Sequence, residues 1–330
     1  MSWLPRETDV LPREVDVRLE RHRRELTGYC YRMLGSAFEA EDAVQETLLR
    51  AWRSFGRFDE RRSSLRTWVH AIATNVCLDM LKGAQRRARA MDLGPASPVG
   101  AALGAPLPEG VWVQPVPDGR VLDEDGDPAA LAVAREAVSL AFVAALQRLP
   151  PRQRAVLILR DVLCWRAAEV ARLLDASVAA VNGMLLRARA ALERARPPAG
   201  EPYRPLDGEQ RALLARYVDA FERYDVDALV SLLHEDATMA MPPFAWWLRG
   251  RTDIRHALVA SAGPCKGSRL LPTVASGTPA FGQYQPDGGG RLRPFALVLV
   301  EVAGGRITGL TTYLDAPRLF PLFELPPAPR

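Results

Sequence analysis

The chain has 330 residues, 48% hydrophobic and 25% charged, with a formal net charge of +4. Those fractions exclude a disordered or low-complexity chain, no apolar run approaches the ~20 residues of a bilayer span, and the charged first 20 residues do not read as a signal peptide. Four scattered cysteines (Cys30, Cys77, Cys164 and Cys265), with no CxxC pair, exclude a disulfide framework or zinc site and fit a reducing compartment.

Charge is unevenly distributed. Residues 1–95 carry 17 Lys+Arg against 14 Asp+Glu, 96–134 carry one against six, 135–196 carry 11 against five, and 197–330 are balanced. Two basic blocks around an acidic one, then a neutral tail, describe a modular chain whose basic parts suit a polyanionic partner.

Residues 15–90 read as helical throughout. Val44, Leu48, Ala51, Trp52 and Phe55 form an apolar stripe at helical spacing, opposite Asp42, Gln45, Glu46 and Arg50. Ser63 or Ser64 can cap a following helix whose spine is Leu65, Trp68, Val69, Ile72 and Val76. Its other positions include Arg66, His70, Asn75 and Asp79, and it exits through Lys82, Arg86, Arg87 and Arg89. Such a helix can lie along a nucleic-acid backbone, and a tryptophan such as Trp68 either anchors the core or stacks on an unpaired base.

Residues 91–128 are expected to be a linker, broken by Pro95, Pro98, Pro106, Pro108 and Pro115 and ending in the acidic run 123–127. That run is not a calcium loop, because Ala134 stands where the bidentate glutamate belongs. Residues 129–196 are helical again and contain a compact helix-turn-helix pattern. Val170, Leu174, Ala176, Val181 and Met184 pack one helix across another, Ala171 is small at the crossing, and Asp175-Ala176-Ser177 supplies turn and cap. The second helix presents Ala179, Ala180, Asn182, Gly183 and Arg187, a lean face suited to a major groove. Asn182 is placed for an adenine edge, and the later Arg187 and Arg189 for phosphates.

After the break at 196–202, residues 207–330 read as α+β. Leu213, Leu214, Tyr217, Val218 and Phe221 mark one helix and 225–233 a second; 237–242 alternates as a strand and 252–261 returns to helix. Gly304-Gly305 between two apolar runs signals a hairpin, and Asp287-Gly288-Gly289-Gly290-Arg291 reads as a flexible loop. His234, Asp236, Asp253 and His256 are the acid/base candidates, although they form no triad or metal spacing. Trp246 and Trp247, beside Pro242-Pro243-Phe244, suit a pocket wall or a docking surface.

Together these pieces resemble an extracytoplasmic-function (ECF) sigma factor of the sigma-70 superfamily. The resemblance rests on residues 35–52 for regions 2.1–2.2, on 65–87 with Trp68, Asn75 and Asp79 for regions 2.3–2.4, and on 149–192 for region 4. The tail, with its helix-helix-strand order and Leu233-His234-Glu235-Asp236, resembles a SnoaL-like domain of the nuclear-transport-factor-2-like fold; Trp112-Val113-Gln114-Pro115 is similar to the linker of sigma factors that carry such a tail. The implied fold class is multidomain: two all-α domains, a region 2 bundle and a region 4 helix-turn-helix, plus a C-terminal α+β cone. The implied boundaries are 15–90, 91–128, 129–196 and 207–330.

The resemblance implies a bacterial initiation factor acting in the cytoplasm. Asp42, Gln45, Glu46 and Leu49 would bind the β′ clamp helices of core RNA polymerase. Trp68, Asn75, Asp79, Lys82, Arg86 and Arg87 would hold the −10 element, and Ser177, Asn182, Arg187 and Arg189 the −35 element. Promoter DNA and core polymerase are the expected partners, with intramolecular contact of the C-terminal domain with regions 2 and 4. No catalytic residue, metal, cofactor or membrane contact is implied. The alternatives are a helix-turn-helix fusion whose tail is a cyclase- or isomerase-type enzyme, and a helix-turn-helix regulator that binds DNA without polymerase.

Overall fold

The computed structural model describes residues 12–123, 127–195 and 207–329. Part of the acidic run (124–126) and the break at 196–202 lie outside the described residues. The chain begins with helices α1 (Pro12–Glu20), α2 (Arg23–Leu34), α3 (Ala37–Ser54) and α4 (Leu65–Met80). Ser36 and Ser64 cap α3 and α4, their hydroxyls accepting from the Glu39 and Thr67 amides. Short helices α5 (Ala90–Leu93) and α6 (Asp118–Val121) precede α7 (Pro128–Glu136), α8 (Leu140–Leu146), α9 (Pro151–Leu157), α10 (Ala167–Leu173) and α11 (Val178–Ala195). The tail adds α12 (Gly208–Arg223), α13 (Val226–Ser231), β1 (Leu233–Ala240), β2 (Trp247–Arg249), α14 (Arg251–Ala260), α15 (Ala262–Cys265), β3 (Arg269–Ala275), β4 (Thr278–Pro286), β5 (Leu292–Ala303), β6 (Arg306–Tyr313) and α16 (Ala316–Leu322).

These elements form two compact units. The helical unit contains the described residues of Met1–Arg86, Arg120–Leu122 and Val143–Arg196; the sheet unit contains those of Arg87–Gly119, Asp123–Phe142 and Pro197–Arg330.

In the helical unit Leu26, Tyr29, Cys30 and Met33 of α2 are buried with Ala40 and Val44 of α3 and Val69, Ala73 and Cys77 of α4. The Tyr29 hydroxyl hydrogen-bonds Thr74 Oγ1 at 2.7 Å. Arg154 of α9 joins the two sigma-like segments from inside. Its buried guanidinium donates to the carbonyls of Met33, Gln147 and Leu149 and to Gln147 Oε1. Burial lowers its pKa to about 10, so it stays charged, with carbonyl dipoles as its solvent.

The sheet unit is built on six strands in the order β2-β1-β6-β5-β4-β3, with β1 parallel to β6 and the other pairs antiparallel. Gly304 and Gly305, both left-handed, make the tight turn between β5 and β6. Strand alternation sorts side chains to two faces. Phe281, Val298, Val300 and Leu310 join Leu213, Tyr217 and Phe221 of α12 in the core under the helices. On the other face Ala240 packs with Ala90, Val111 and Trp112, and Tyr284 with Ala316 and Phe320.

Most of the stretch expected to be a linker, residues 91–119, therefore belongs to the sheet unit. Ala88 and Val111–Val113 exchange backbone hydrogen bonds (2.7 and 3.1 Å), Leu107 N–H donates to the Pro243 carbonyl, and the Tyr313 hydroxyl donates to the Val113 carbonyl at 2.8 Å. Trp247 holds this stretch too, its indole N–H donating to the Gly94 carbonyl at 3.0 Å. The prolines break helices here without leaving the chain unpacked, because Val111, Trp112, Val113 and Val116 need an apolar face and the sheet has one to cover.

Candidate nucleic-acid and polymerase interfaces

Alanines and β-branched residues on the inner side of α3 leave Asp42, Gln45, Glu46 and Leu49 on its outer side, three to four residues apart. Glu46 accepts from Arg50 Nε at 2.6 Å. Leu49 is 42% exposed and Trp52, expected in the apolar stripe, is 48% exposed. Trp52 therefore belongs to the outer face, one turn beyond Leu49. The spacing Asp42, Gln45, Leu49, Trp52 carried that signal, but the hydrophobicity of tryptophan hid it.

On α4, Val69, His70, Ala73, Thr74, Val76 and Cys77 face inward. Trp68, Asn75, Asp79 and Lys82 follow the opposite stripe, with Asn75, Asp79 and Lys82 exposed. Trp68 is half-buried against Phe58 (ring centroids 5.0 Å apart) and Phe55 (6.2 Å). It thus anchors a small aromatic cluster and keeps an outer edge. Lys82 Nζ donates to Asp79 Oδ1 at 2.7 Å, and that ammonium holds the Asp79 carboxyl below its usual range. Arg86 is exposed. Arg87 is different: it is 5% exposed and its guanidinium donates to the carbonyls of Glu109 and Trp112. It holds the 87–113 stretch rather than offering charge to a ligand.

His70 sits under this helix between two rings, 5.5 Å from Tyr29 and 5.0 Å from Trp165. Burial lowers its pKa to about 4, so the imidazole is neutral. Arg66 Nε donates to Glu25 at 2.8 Å and its guanidinium lies 5.0 Å from the Trp165 ring.

In the helix-turn-helix, Val170, Ala171, Leu174, Val181, Leu185 and Ala188 close the crossing of α10 and α11. Ser177 caps α11, its hydroxyl accepting from the Ala180 amide at 3.1 Å. Asn182 is exposed one turn in, and Arg187 and Arg189 are exposed further along. Arg189 pairs bidentately with Asp161 (2.6 and 2.8 Å). At ~100° per residue, Asn182 and Arg189 lie on one flank of α11 and Arg187 on the other.

The cone under α12–α14 holds a cavity of only about 40 Å³, lined by Tyr217, Phe221, Leu233, Met239, Val298 and Leu310 with Gln283 and Thr312 as polar members. His234, Asp236, Asp253 and His256 do not line it, and the first, second and last are exposed. The Asp287 loop, read from its glycines as flexible, is bridged by hydrogen bonds to one carboxylate. The Asp287 carboxylate accepts from the Gly289 and Arg291 amides and from Arg293 Nε. Among the described residues no group of three or more His, Cys, Asp or Glu side chains could hold a metal ion.

Family models match in the same order: Sigma-70 region 2 at residues 19–87, Sigma-70 region 4 at 139–192, and a SnoaL-like domain at 214–310. ECF RNA polymerase sigma factor SigG of Mycobacterium tuberculosis is 45% identical over 311 residues, 93% of this chain and 82% of SigG. The chain belongs to the ECF RNA polymerase sigma factors. SigJ, an ECF sigma factor of the same organism, is 34% identical over 218 residues, 66% of this chain and 61% of SigJ. The crystal structure of SigJ matches with a TM-score of 0.59 at 24% identity, covering 94% of this chain and all of that one, a likeness of fold. As a sigma factor the chain directs promoter-specific initiation, and its helical unit carries both sigma-70 segments. The family is not one of enzymes. Among the described residues no single helix is long and apolar enough to cross a membrane.

Proposed function

We propose that this sigma factor works in the cytoplasm and divides its labour among three outward faces of the helical unit, with the sheet unit setting its activity. Asp42, Gln45, Glu46, Leu49 and Trp52 form the face for the β′ clamp helices of core polymerase. Two exposed apolar side chains ringed by polar ones suit a protein partner. Trp68, Asn75, Asp79, Lys82 and Arg86 form the −10 face. The exposed edge of the tryptophan contacts an unpaired base, Asn75 and Asp79 read base edges, and the two cations hold phosphates. Arg87, turned inward, positions the linker instead. Ser177, Asn182, Arg187 and Arg189 form the −35 face, with Asn182 as base reader and the arginines at phosphates. The 45% identity to SigG over 93% of the chain supports the sigma-factor role, and the outward placement of these side chains supports the three faces.

The sheet unit is proposed to regulate, not to catalyse. The cavity is small, about 40 Å³, and mostly apolar, and the acid/base candidates stand outside it. The test is transcription in vitro from a random promoter library with core polymerase and the full chain. Initiation at sites sharing two spaced elements supports the reading. Tight sequence-specific binding by the chain alone, with no initiation on core, would favour a polymerase-independent regulator.

A further inference from the structure

The outward face of α11 is poor in hydrogen-bonding groups and rich in carbon. At ~100° per residue, Val178, Asn182 and Leu186 form one column along the helix, with Arg189 beside it. Leu186 is 71% exposed and Val178 44% exposed. Leu186 is not a core residue stranded at an edge, because its neighbour Leu185 fills the inner position with Val181 and Ala188, all buried. One exposed aliphatic side chain asks for no explanation, but two on the column that holds the amide reader do. The charges around them point to a polyanion as the occupant. Arg187 and Arg189 are exposed beside the column, and the helix has no acid before Glu193.

We propose that Leu186 reads a thymine of the −35 element through its 5-methyl group. This rests on the reading of α11 as the −35 face. The methyl is thymine's apolar mark in the major groove, and neither an amide nor a guanidinium can recognise it. Leucine has no donor or acceptor, so it also rejects the alternatives. Set against guanine O6 or the cytosine amino group, it would displace water and leave a polar atom unpaired. Leu186 stands four residues beyond Asn182, ~6 Å along the helix axis. That distance is close to two steps of ~3.4 Å, which places the thymine within about two base pairs of the adenine assigned to Asn182.

The test uses core polymerase, the full chain and a promoter at which they initiate. Each thymine of the −35 element, on either strand, is replaced in turn by deoxyuridine, which keeps the base pair and removes only the methyl. At one position the replacement should lower initiation about three- to fivefold, the worth of one buried methyl. Leu186→Ala should lower initiation on the thymine promoter by a similar factor and abolish the difference between thymine and deoxyuridine there. Leu186→Met, still apolar and of like volume, should keep that difference. Asn182→Ala should keep it too while losing discrimination at its own base pair. Because Leu186 is exposed, none of its substitutions should move the thermal unfolding of the chain, which separates lost contact from lost fold.

Equal initiation with deoxyuridine at every position would overturn the proposal, as would a thymine-to-deoxyuridine ratio that survives in Leu186→Ala. Either result leaves the −35 face standing as long as scrambling the element still abolishes initiation. Initiation indifferent to scrambling would remove that face, and the proposal with it.

Discussion

The two units use their polar side chains in opposite ways. In the helical unit the residues proposed for recognition point outward from α3, α4 and α11, and the inward positions are apolar or locked, as Arg154 and His70 are. In the sheet unit the polar groups that matter most are buried and intramolecular: Arg87 on carbonyls, Asp118 on the Gly277 amide, the Tyr313 hydroxyl on Val113. Its cone holds only a small apolar cavity, and its second face is covered by residues of the linker and of α16. One unit offers surfaces to partners and the other closes around its own chain. The core of the sheet unit therefore extends beyond residues 207–330, because Ala90, Val111 and Trp112 pack against the sheet.

The contrast breaks most visibly at Trp112, which is 3% exposed against the sheet. Trp112→Ala should destabilise the sheet unit by about 3–5 kcal/mol, read as a lower urea midpoint of its unfolding. Equal stability would mean that the linker is not part of that core. In the helical unit acid should do comparable work through His70. Its folded pKa is about 4 against 6.5 for an ordinary histidine, so the unfolded chain takes up the proton first. The contribution is complete above pH 6.5 and is lost as pH falls towards 4, about 3 kcal/mol in all. His70→Phe should flatten the slope of stability against pH in that window; an unaltered slope would remove His70 as its cause.

Smaller effects sharpen the same comparison. Asn182→Ala should cost about 1–3 kcal/mol of discrimination at one −35 base pair while leaving −10 preference alone, read from initiation on a single-substitution promoter set. A uniform loss at all positions would assign Asn182 to phosphate. Smallest of all, Asp161→Asn should change thermal stability by no more than about 1 kcal/mol, because its pair with Arg189 is exposed to water. A larger drop would show that the pair organises the helix-turn-helix.

How much of this was legible beforehand follows the same division. Helical periodicity placed α3, α4 and the α10–α11 crossing, and Ser64 and Ser177 are caps of the ordinary kind. Gly304-Gly305 announced its hairpin. Outward faces are local properties, so spacing along one helix reveals them. Trp52 escaped because a large apolar residue is assigned inward by default. Arg87 escaped because a cation in a basic run looks solvent-facing until its carbonyl partners, 22 and 25 residues away, are known. The packing of 87–118 was invisible for the same reason: proline and glycine mark helix breaks, and only the distant sheet shows what the intervening valines and tryptophan cover. The glycines of the Asp287 loop gave no hint that one carboxylate accepts from two of its amides.

The most direct measurement sets the two units against each other in one assay. Multi-round transcription by core polymerase would be compared for the wild-type chain, for Leu49→Glu/Trp52→Glu on the outer face of α3, and for His234→Ala/Asp236→Ala/Asp253→Ala/His256→Ala in the sheet unit. Expected is initiation at background with the first variant, which should also fail to bind core, and initiation within about twofold of wild type with the second. Full activity with the α3 variant, or loss of initiation with the sheet-unit variant while its fold is intact, would contradict the assignment of the sigma function to the helical faces.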